Sequence, residues 1–162
     1  MLTKEILKSQ VHYEPETGVF TWTIKKRGVV VGSECGRISK SHKYREICIN
    51  NKLYRAHRLA FLYMTGSFPV KDIDHINRIK SDNKWNNLRE CNNSQNNANV
   101  GLKTSNTSGY KGVVWDKSRN KWRVQIRING KKTNLGRFDN IEKAIAISNE
   151  ALQKQFGEFN PC

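Results

Sequence analysis

Asp72-Ile73-Asp74-His75-Ile76-Asn77-Arg78 places a carboxylate directly before an imidazole, and two asparagines, Asn87 and Asn96, follow it along the chain. Eleven residues lie between His75 and Asn87, and eight lie between Asn87 and Asn96. Two antiparallel strands followed by a helix would span these intervals and bring the four polar side chains to one cleft.

The local pattern predicts the elements that would build the cleft. Residues 71–76 form a short predicted strand, in which Ile73 faces inward and Asp74 faces solvent. Residues 87–91 are a second short predicted strand. Residues 92–99 are a poor helix by propensity, so one or two turns there would need packing or a metal ion to stabilise them.

The residue types in this stretch point to metal-assisted hydrolysis. Asp74 and the side-chain oxygen of Asn96 are the hard ligands that Mg²⁺ or Mn²⁺ prefers. A neutral imidazole at His75 can take a proton from water near neutral pH. Asn87 is better suited to holding the loop and the orientation of the histidine. The alternative is a chance dipeptide among ordinary loop asparagines.

The charge of the chain favours a polyanionic partner. Its 162 residues include 29 Lys and Arg but only 14 Asp and Glu, which gives a formal net charge of +15. Neutralising phosphates, with release of their counterions, is the plain physical use of such an excess. Double-stranded DNA is therefore the predicted partner. A basic surface of another kind, on a ribosome-associated or membrane-skimming protein, is the alternative.

Cysteine usage and hydropathy indicate the cellular compartment. None of the four cysteines is paired as C-x-x-C, and they are too sparse for a disulfide framework; they are Cys35, Cys48, Cys91 and Cys162. The N-terminus lacks the apolar core of a signal peptide, and no apolar run approaches membrane-spanning length. These features predict a reduced, cytoplasmic setting without a membrane.

The N-terminal part predicts a β-meander followed by a helix. Residues 2–10 fit a short helix, and Pro15 and Gly18 mark a turn over residues 13–18. Three predicted strands follow, at residues 19–24, 44–49 and 53–55. The residues from Ala56 to Gly66 are predicted to form a helix, with Gly66 as its C-cap. His57 at its start is interpreted as a structural histidine, with a DNA phosphate contact as the alternative.

The C-terminal part predicts a three-stranded antiparallel sheet packed on one helix. The strands are predicted at residues 109–116, 121–128 and 131–138, with Asn129-Gly130 as a two-residue hairpin turn. A helix from Ile141 to about Phe156 would be capped by Asp139, with Glu142 completing a capping box. The fold class is therefore α+β. The expected segments are 1–55 (β-rich and DNA-contacting), 56–100 (nuclease module), 101–108 (linker) and 109–162 (DNA-binding domain).

The predicted C-terminal sheet has one cationic face. Residues 101–137 contain ten Lys and Arg against a single acid, Asp116. In the strand from Lys121, the side chains of Lys121, Arg123, Gln125 and Arg127 share one face, while apolar residues share the other. The apolar face would pack on the helix, and the cationic face would lie against DNA. Ordinary solvated charges on an outer face are the alternative.

Residues from about His57 to Asn99 resemble an HNH nuclease of the phage homing-endonuclease type. The resemblance rests on Ala56-His57-Arg58-Leu59, Ile73-Asp74-His75-Ile76-Asn77, Asn86-Asn87-Leu88-Arg89 and Ser94-Gln95-Asn96-Asn97. It implies a ββα-metal (HNH) module with one Mg²⁺-type ion. By position, His75 resembles the general base, Asp74 a metal ligand and Asn87 the structural asparagine. Asn96 stands where many members have a third histidine, so the chain resembles the H-N-N variant.

Residues from about Ser108 to Pro161 resemble the ethylene-response-factor-type (Apetala-type) DNA-binding domain. The resemblance rests on Gly109-Tyr110-Lys111-Gly112-Val113, Lys121-Trp122-Arg123-Val124-Gln125-Ile126 and Leu135-Gly136-Arg137-Phe138. In that family a three-stranded sheet reads the major groove. By position this implies DNA contacts for Lys111, Trp115, Arg123, Gln125, Arg127 and Lys132. Beside the nuclease site, Arg78, Lys80 and Arg89 are further candidates for phosphate contacts.

These observations predict a site-specific, divalent-metal-dependent DNA endonuclease that nicks DNA as a monomer without an obligate protein partner. Two other interpretations stay open. One is a sequence-specific DNA-binding regulator whose nuclease site has degenerated, which the asparagine at position 96 allows. The other is a recruitment protein that acts within a phage packaging or replication complex.

Overall fold

The computed structural model describes residues 1–26, 28–128 and 130–160. The chain forms two compact units, Met1–Asn92 and Asn93–Cys162. The mixture of helices and small antiparallel sheets is that of an α+β protein, as predicted. The predicted segment boundaries at residues 55, 100 and 108 remain predictions.

The first unit consists of small sheets and two helices. Its elements are α1 (Lys4–Lys8), β1 (Val11–Glu14), β2 (Val19–Trp22), β3 (Arg37–Ile38), β4 (Arg45–Ile49), β5 (Lys52–Arg55), α2 (Ala56–Thr65), β6 (Asp72–His75), a 3-10 turn (Trp85–Asn87) and β7 (Leu88–Cys91). All strand pairs are antiparallel, in the groupings β1-β2, β3-β4-β5 and β6-β7.

The predicted N-terminal meander is divided between two sheets. β2 pairs with β1, whose last two residues, Tyr13 and Glu14, fall in the predicted turn, whereas β4 pairs with β3 on one side and with β5 on the other. Tyr13 is the reason for the difference. Its side chain is buried and stacks on Phe20, with ring centroids 4.5 Å apart, so the residues before Pro15 extend instead of turning.

One hydrophobic core holds the first unit together. Leu7, Tyr13, Phe20, Ile47 and Leu59 are among its fully buried side chains, so it draws on α1, both N-terminal sheets and α2. The helix α2 ends as predicted, because Gly66 adopts a left-handed conformation (φ 90°) and its N–H bonds the Leu62 carbonyl.

The second unit is a three-stranded sheet with one long helix. Its elements are α3 (Asn93–Asn99), β8 (Val113–Asp116), β9 (Lys121–Ile128), β10 (Lys131–Phe138), α4 (Ile141–Phe156) and a 3-10 turn (Gly157–Phe159). The sheet is antiparallel in the order β10-β9-β8, as predicted. The first strand begins at Val113 instead of residue 109. Asn129 of the predicted hairpin turn lies outside the described residues.

The helix α4 covers one face of this sheet, with the predicted bounds. Val113 and Val124 of the sheet and Ala144 of the helix form its buried centre. The N-cap, however, is Asn140: its side chain accepts hydrogen bonds from the N–H groups of Glu142 and Lys143. The predicted cap, Asp139, was wrong by one residue, and its carboxylate instead pairs with Lys121 at 3.2 Å.

The thiols of Cys35, Cys48 and Cys91 are free, and Cys162 lies outside the described residues. Over the described parts of the chain, no helix is both long enough and apolar enough to cross a membrane.

Candidate active site

The β6-β7 hairpin places the central carboxylate beside an arginine. In the strand register Asp74 lies opposite Arg89, and His75 lies opposite Leu88. Directly opposed residues of an antiparallel pair point to the same face, so Arg89 reaches Asp74 across the hairpin. Asp74 is only 5 % exposed. The expectation that Asp74 faces solvent was therefore wrong, because the cross-strand arginine covers it.

His75 lies in a buried aromatic cluster. It is 3 % exposed, and its ring meets that of His57 edge-on, with centroids 5.1 Å apart, and that of Tyr44 at 5.8 Å. Its Nε2 lies 3.4 Å from Oδ1 of Asn83. Burial lowers the pKa of His75, although Asn83 and Asp74 oppose the shift. The imidazole is thus neutral at physiological pH, which is the state that a general base needs.

His57 belongs to the same cluster. Its side chain is 4 % exposed, and within the described residues its Nδ1 is buried without a hydrogen-bond partner. Burial, reinforced by the neighbouring His75, lowers the pKa of His57 to about 3. The buried position agrees with the interpretation of His57 as a structural histidine.

Asn87 ties together the loop that follows β6. Its Oδ1 accepts a hydrogen bond from the Asn77 backbone N–H at 2.9 Å. Its Nδ2 donates to Oδ1 of Asn77 at 3.0 Å and to the carbonyl of Asp82 at 2.8 Å. The loop from residue 77 to residue 82 is thereby closed on itself. These bonds suit the structural role expected of Asn87, which stays a prediction, as do the other site roles.

Two of the basic residues predicted beside the site are exposed. Arg78 adopts a left-handed backbone (φ 65°), and its N–H bonds the His75 carbonyl at 2.8 Å. The ammonium of Lys80 lies 5.0 Å from the centre of the Tyr44 ring, and the guanidinium of Arg55 lies 4.7 Å from it. Cationic groups therefore surround the aromatic ring that contacts His75, where a phosphate would be attracted.

Asn96, the remaining predicted ligand, lies half-buried on α3, in the second unit. Throughout the described residues, no three or more His, Cys, Asp and Glu side chains are grouped to hold a metal ion. Asp74 supplies a hard carboxylate oxygen, which is the donor type that Mg²⁺ prefers, and Mg²⁺ is commonly held by one or two carboxylates with several waters. The ligand role of Asn96 stays a prediction.

The strand register defines the outer face of the second unit's sheet. Arg127 pairs with Lys132, Gln125 with Asn134, and Arg123 with Arg137. Directly paired residues share a face, so these polar side chains lie together, on the side away from Val124 and α4. Asp116 joins this face and binds Arg137, with Oδ2 2.9 Å from Nε. The hydrogen bond from Ser118 and the contact with Arg137 lower the pKa of Asp116 to about 2.

Two of the predicted DNA contacts lie elsewhere in this unit. Trp115 pairs with Trp122, and their rings meet at 5.0 Å on the face that carries Val124. Trp115 is nevertheless 37 % exposed. Lys111 precedes β8, and its ammonium donates to the Ala98 carbonyl. Their roles at DNA, like those of the outer-face residues, stay predictions.

Comparison with known proteins identifies the central stretch. Residues 54–98 match the family model described as HNH endonuclease. The chain therefore contains an HNH endonuclease domain. It is also 35 % identical over 89 residues to protein 3.8 of Escherichia phage T7, a match that covers 54 % of this chain and 74 % of that protein, and it belongs to the same family as that phage protein. No solved structure matches it significantly.

The HNH endonuclease match contains every residue of the predicted catalytic and metal set, Asp74, His75, Asn87 and Asn96. It ends before the C-terminal sheet, so the resemblance of that sheet to ethylene-response-factor-type domains stays a prediction.

Sequence reasoning missed two groups at the site. One is Asn83, whose side chain contacts His75 but which stands in the sequence among many similar loop asparagines. The other is Tyr44, whose ring lies against both histidines. The approach of Tyr44, which precedes β4, to His57 of α2 and His75 of β6 is a tertiary contact with no signal in the spacing of the motif. For Arg89, the pairing with Asp74 could have been found from the hairpin register alone.

Proposed function

We propose that this protein is a site-specific, divalent-metal-dependent DNA endonuclease of the homing type, which nicks one DNA strand as a monomer. The observation that carries the proposal is the coincidence of the HNH endonuclease match with a buried, neutral His75 beside Asp74. The net charge of +15 supports DNA as the substrate.

His75 acts as the general base in this proposal. Its imidazole takes a proton from water as the water oxygen bonds to phosphorus and the bond from phosphorus to the 3′ oxygen breaks. The leaving 3′ oxygen takes its proton from solvent. The lowered pKa of His75 keeps the imidazole available for the proton at physiological pH. Asn87 maintains the loop that follows His75 through its three hydrogen bonds.

Asp74 and Asn96 are the proposed metal ligands. When bound, a Mg²⁺ or Mn²⁺ ion would neutralise charge on the phosphate and on the leaving oxygen. Asp74 contributes a hard carboxylate, and Arg89 holds that carboxylate in place through Oδ2. Asn96 contributes a neutral oxygen, and its ligand role rests on the resemblance to H-N-N enzymes.

The C-terminal sheet supplies the proposed binding to duplex DNA. Arg123, Gln125, Arg127 and Lys132 share its outer face, where cations and an amide can meet phosphates and base edges. Lys111 and Trp115 remain further candidates. Near the cleavage site, Arg78 and Lys80 are proposed to contact phosphate. Site specificity then comes from the sheet and cleavage from the HNH module.

A specific observation favours a second candidate, a DNA-binding regulator with a degenerate nuclease site. Arg89 donates two hydrogen bonds to Oδ2 of Asp74, an oxygen that a metal ion would otherwise use. Together with asparagine at position 96, this pairing is compatible with a site that no longer holds metal.

Incubation with supercoiled plasmid separates the two candidates. The full chain is mixed with plasmid in Mg²⁺ or Mn²⁺, and the reaction is repeated with EDTA. Relaxed product that appears only with free metal supports the endonuclease, and linear product would replace the nicking assignment by double-strand cleavage. Intact plasmid together with a gel shift under both conditions supports the regulator.

A further inference from the structure

We propose that Asn83 is a positioning residue that selects the tautomer of His75, and that the β1-β2 hairpin holds Asn83 in place. The effect of this tautomer on catalysis rests on the proposed function, whereas the tautomer does not. The tautomer itself can be tested without any cleavage.

The orientation of the Asn83 amide is set by its two contacts. Its Nδ2 donates to the Ser81 carbonyl at 3.1 Å, and a carbonyl can only accept. Oδ1 is therefore the atom that lies 3.4 Å from Nε2 of His75. Asn83 is 2 % exposed, so water cannot readily replace its side chain. The amide is thus a fixed acceptor directed at one nitrogen of the ring.

A fixed acceptor determines which ring nitrogen carries the proton. In a neutral imidazole one nitrogen donates and the other accepts. Because Oδ1 of Asn83 can only accept, this contact favours the tautomer of His75 that carries its N–H on Nε2. Nδ1 then carries the lone pair that takes a proton from water. In the other tautomer the lone pair of Nε2 would face the Asn83 oxygen, and Nδ1 would be unable to act as a base.

The ring contacts of His75 with His57 and Tyr44 do not make this choice. His57 meets the ring edge-on at 5.1 Å, and Tyr44 lies 5.8 Å away at 42°. These contacts restrict the plane of the imidazole. They are insensitive to which nitrogen is protonated, whereas the hydrogen bond to Asn83 is directly sensitive to it.

The N-terminal hairpin fixes the backbone of Asn83. The Tyr13 hydroxyl, which is buried, donates to the Asn83 carbonyl at 2.7 Å, and the Trp85 N–H donates to the Pro15 carbonyl at 2.9 Å. Gly18 lies so close that a Cβ there would come within 2.4 Å of the Asn83 carbonyl carbon. Two hydrogen bonds and one close backbone contact therefore join the β1-β2 hairpin to the segment that carries Asn83.

Nitrogen-15 NMR of the histidine side chains tests the tautomer directly in the full chain. The His75 signals are assigned by their loss in His75→Gln. In the wild type we expect Nε2 to be protonated and Nδ1 to be unprotonated. Asn83→Ala is expected to give a mixture of tautomers, while Asn83→Asp, which keeps the acceptor, preserves the wild-type form. Asn86→Ala, an exposed asparagine of the following 3-10 turn, is the matched control and leaves the spectrum unchanged.

Two NMR results would overturn the proposal. One is a wild-type His75 that is protonated on Nδ1, and the other is an Asn83→Ala protein whose tautomer is unaltered. If Asn83→Ala does not fold, Tyr13→Phe decides instead, because it removes a single hydrogen bond from the support of Asn83. We expect it to populate both tautomers measurably, and an unchanged spectrum contradicts the role of the hairpin.

Cleavage kinetics test the consequence. Asn83→Ala should lower kcat by about 10²-fold with little change in KM for DNA, and Asn83→Asp should recover most of the loss. Equal kcat in Asn83→Ala and wild type contradicts the catalytic consequence. If the wild type cuts no DNA, the proposed function fails, whereas the NMR result still decides the tautomer.

Discussion

Arg89 donates two hydrogen bonds to a single oxygen of Asp74: Nε lies 3.0 Å and Nη2 lies 2.8 Å from Oδ2. Both side chains are largely shielded from water, with 13 % and 5 % of their surfaces exposed. Removing one partner of a buried ion pair leaves a charge that the interior solvates poorly. The ion pair therefore stabilises the β6-β7 hairpin and also fixes the position of Asp74, the proposed metal ligand.

Replacing Arg89 by methionine should lower the free energy of unfolding by roughly 3–5 kcal/mol, because the Asp74 carboxylate loses its buried cation. Urea denaturation followed by circular dichroism measures the change. Arg37→Met removes an exposed arginine of β3 and is the matched control, with an expected effect within about 0.5 kcal/mol. Equal stabilities of the two variants would show that the ion pair contributes little.

The buried His57 predicts loss of stability in mild acid. Burial lowers its folded-state pKa to about 3, from an ordinary value near 6.5. The unfolded chain therefore takes up the proton first, and stability falls as the pH drops from about 6.5 towards 3. Between pH 7 and pH 5 this one group accounts for a loss of about 2 kcal/mol.

Denaturation at pH 7 and at pH 5 tests the role of His57 when the wild type is compared with His57→Phe, which keeps an aromatic ring but cannot titrate. The variant should lose about 2 kcal/mol less than the wild type between these two pH values. His12→Phe, at an exposed histidine, serves as control and should follow the wild type. A pH dependence of His57→Phe identical to that of the wild type would refute the assignment.

Part of the fold could be predicted because the hydrophobic pattern that specifies it is local in sequence. The helix Ile141–Phe156 and the strand Lys121–Ile128 were predicted with the correct bounds, since their periodicity extends over many residues. The strand Val11–Glu14 was missed because Pro15 and Gly18 dominate a short window, whereas burial of Tyr13 decides its conformation. The N-cap Asn140 stands beside an equally suitable Asp139, so composition alone could not choose between them.

The candidate site was predictable in its motif but not in its surroundings. The spacing of His75 and Asn87 identified the β6-β7 hairpin, because that hairpin is local in sequence. Tyr44 and His57 reach His75 through tertiary packing, which no spacing rule encodes. Asn83 lies in the loop of the hairpin, where similar asparagines surround it in the sequence. The burial of Asp74 likewise depends on a cross-strand arginine.

Gly112 is required by close packing in the second unit. It has a left-handed backbone (φ 72°), and a Cβ there would meet Cγ2 of Ile126 at 2.6 Å and Oγ of Ser148 at 2.8 Å. Gly109 is left-handed too (φ 79°), yet a Cβ there meets nothing within 4 Å. Both alanine variants suffer the backbone strain of about 1–2 kcal/mol, and only Gly112→Ala adds a clash.

We therefore expect Gly112→Ala to be less stable than Gly109→Ala by about 1–3 kcal/mol, the usual cost of overpacking a core. Thermal unfolding of the full chain, monitored by the near-ultraviolet signal of the tryptophans, provides the comparison. If the two variants unfold alike, the packing of Gly112 against β9 and α4 is looser than described.

Lys132 tests the proposed DNA-binding face. Its side chain is exposed on β10, opposite Arg127. If it contacts a phosphate, Lys132→Ala should reduce the slope of log Kd against log salt concentration by about one. Lys154→Ala, on the exposed surface of α4, is the charge-matched control and should leave the slope unchanged. Identical slopes for both variants and the wild type would argue against this face.

The most direct test of the account is cleavage by His75→Ala in Mg²⁺, measured beside its DNA affinity and its stability. We expect that the variant folds, that its Kd for DNA stays within about threefold of the wild type, and that its nicking rate falls by at least about 10²-fold. Nicking by His75→Ala at the wild-type rate would contradict the assignment of His75 as the general base.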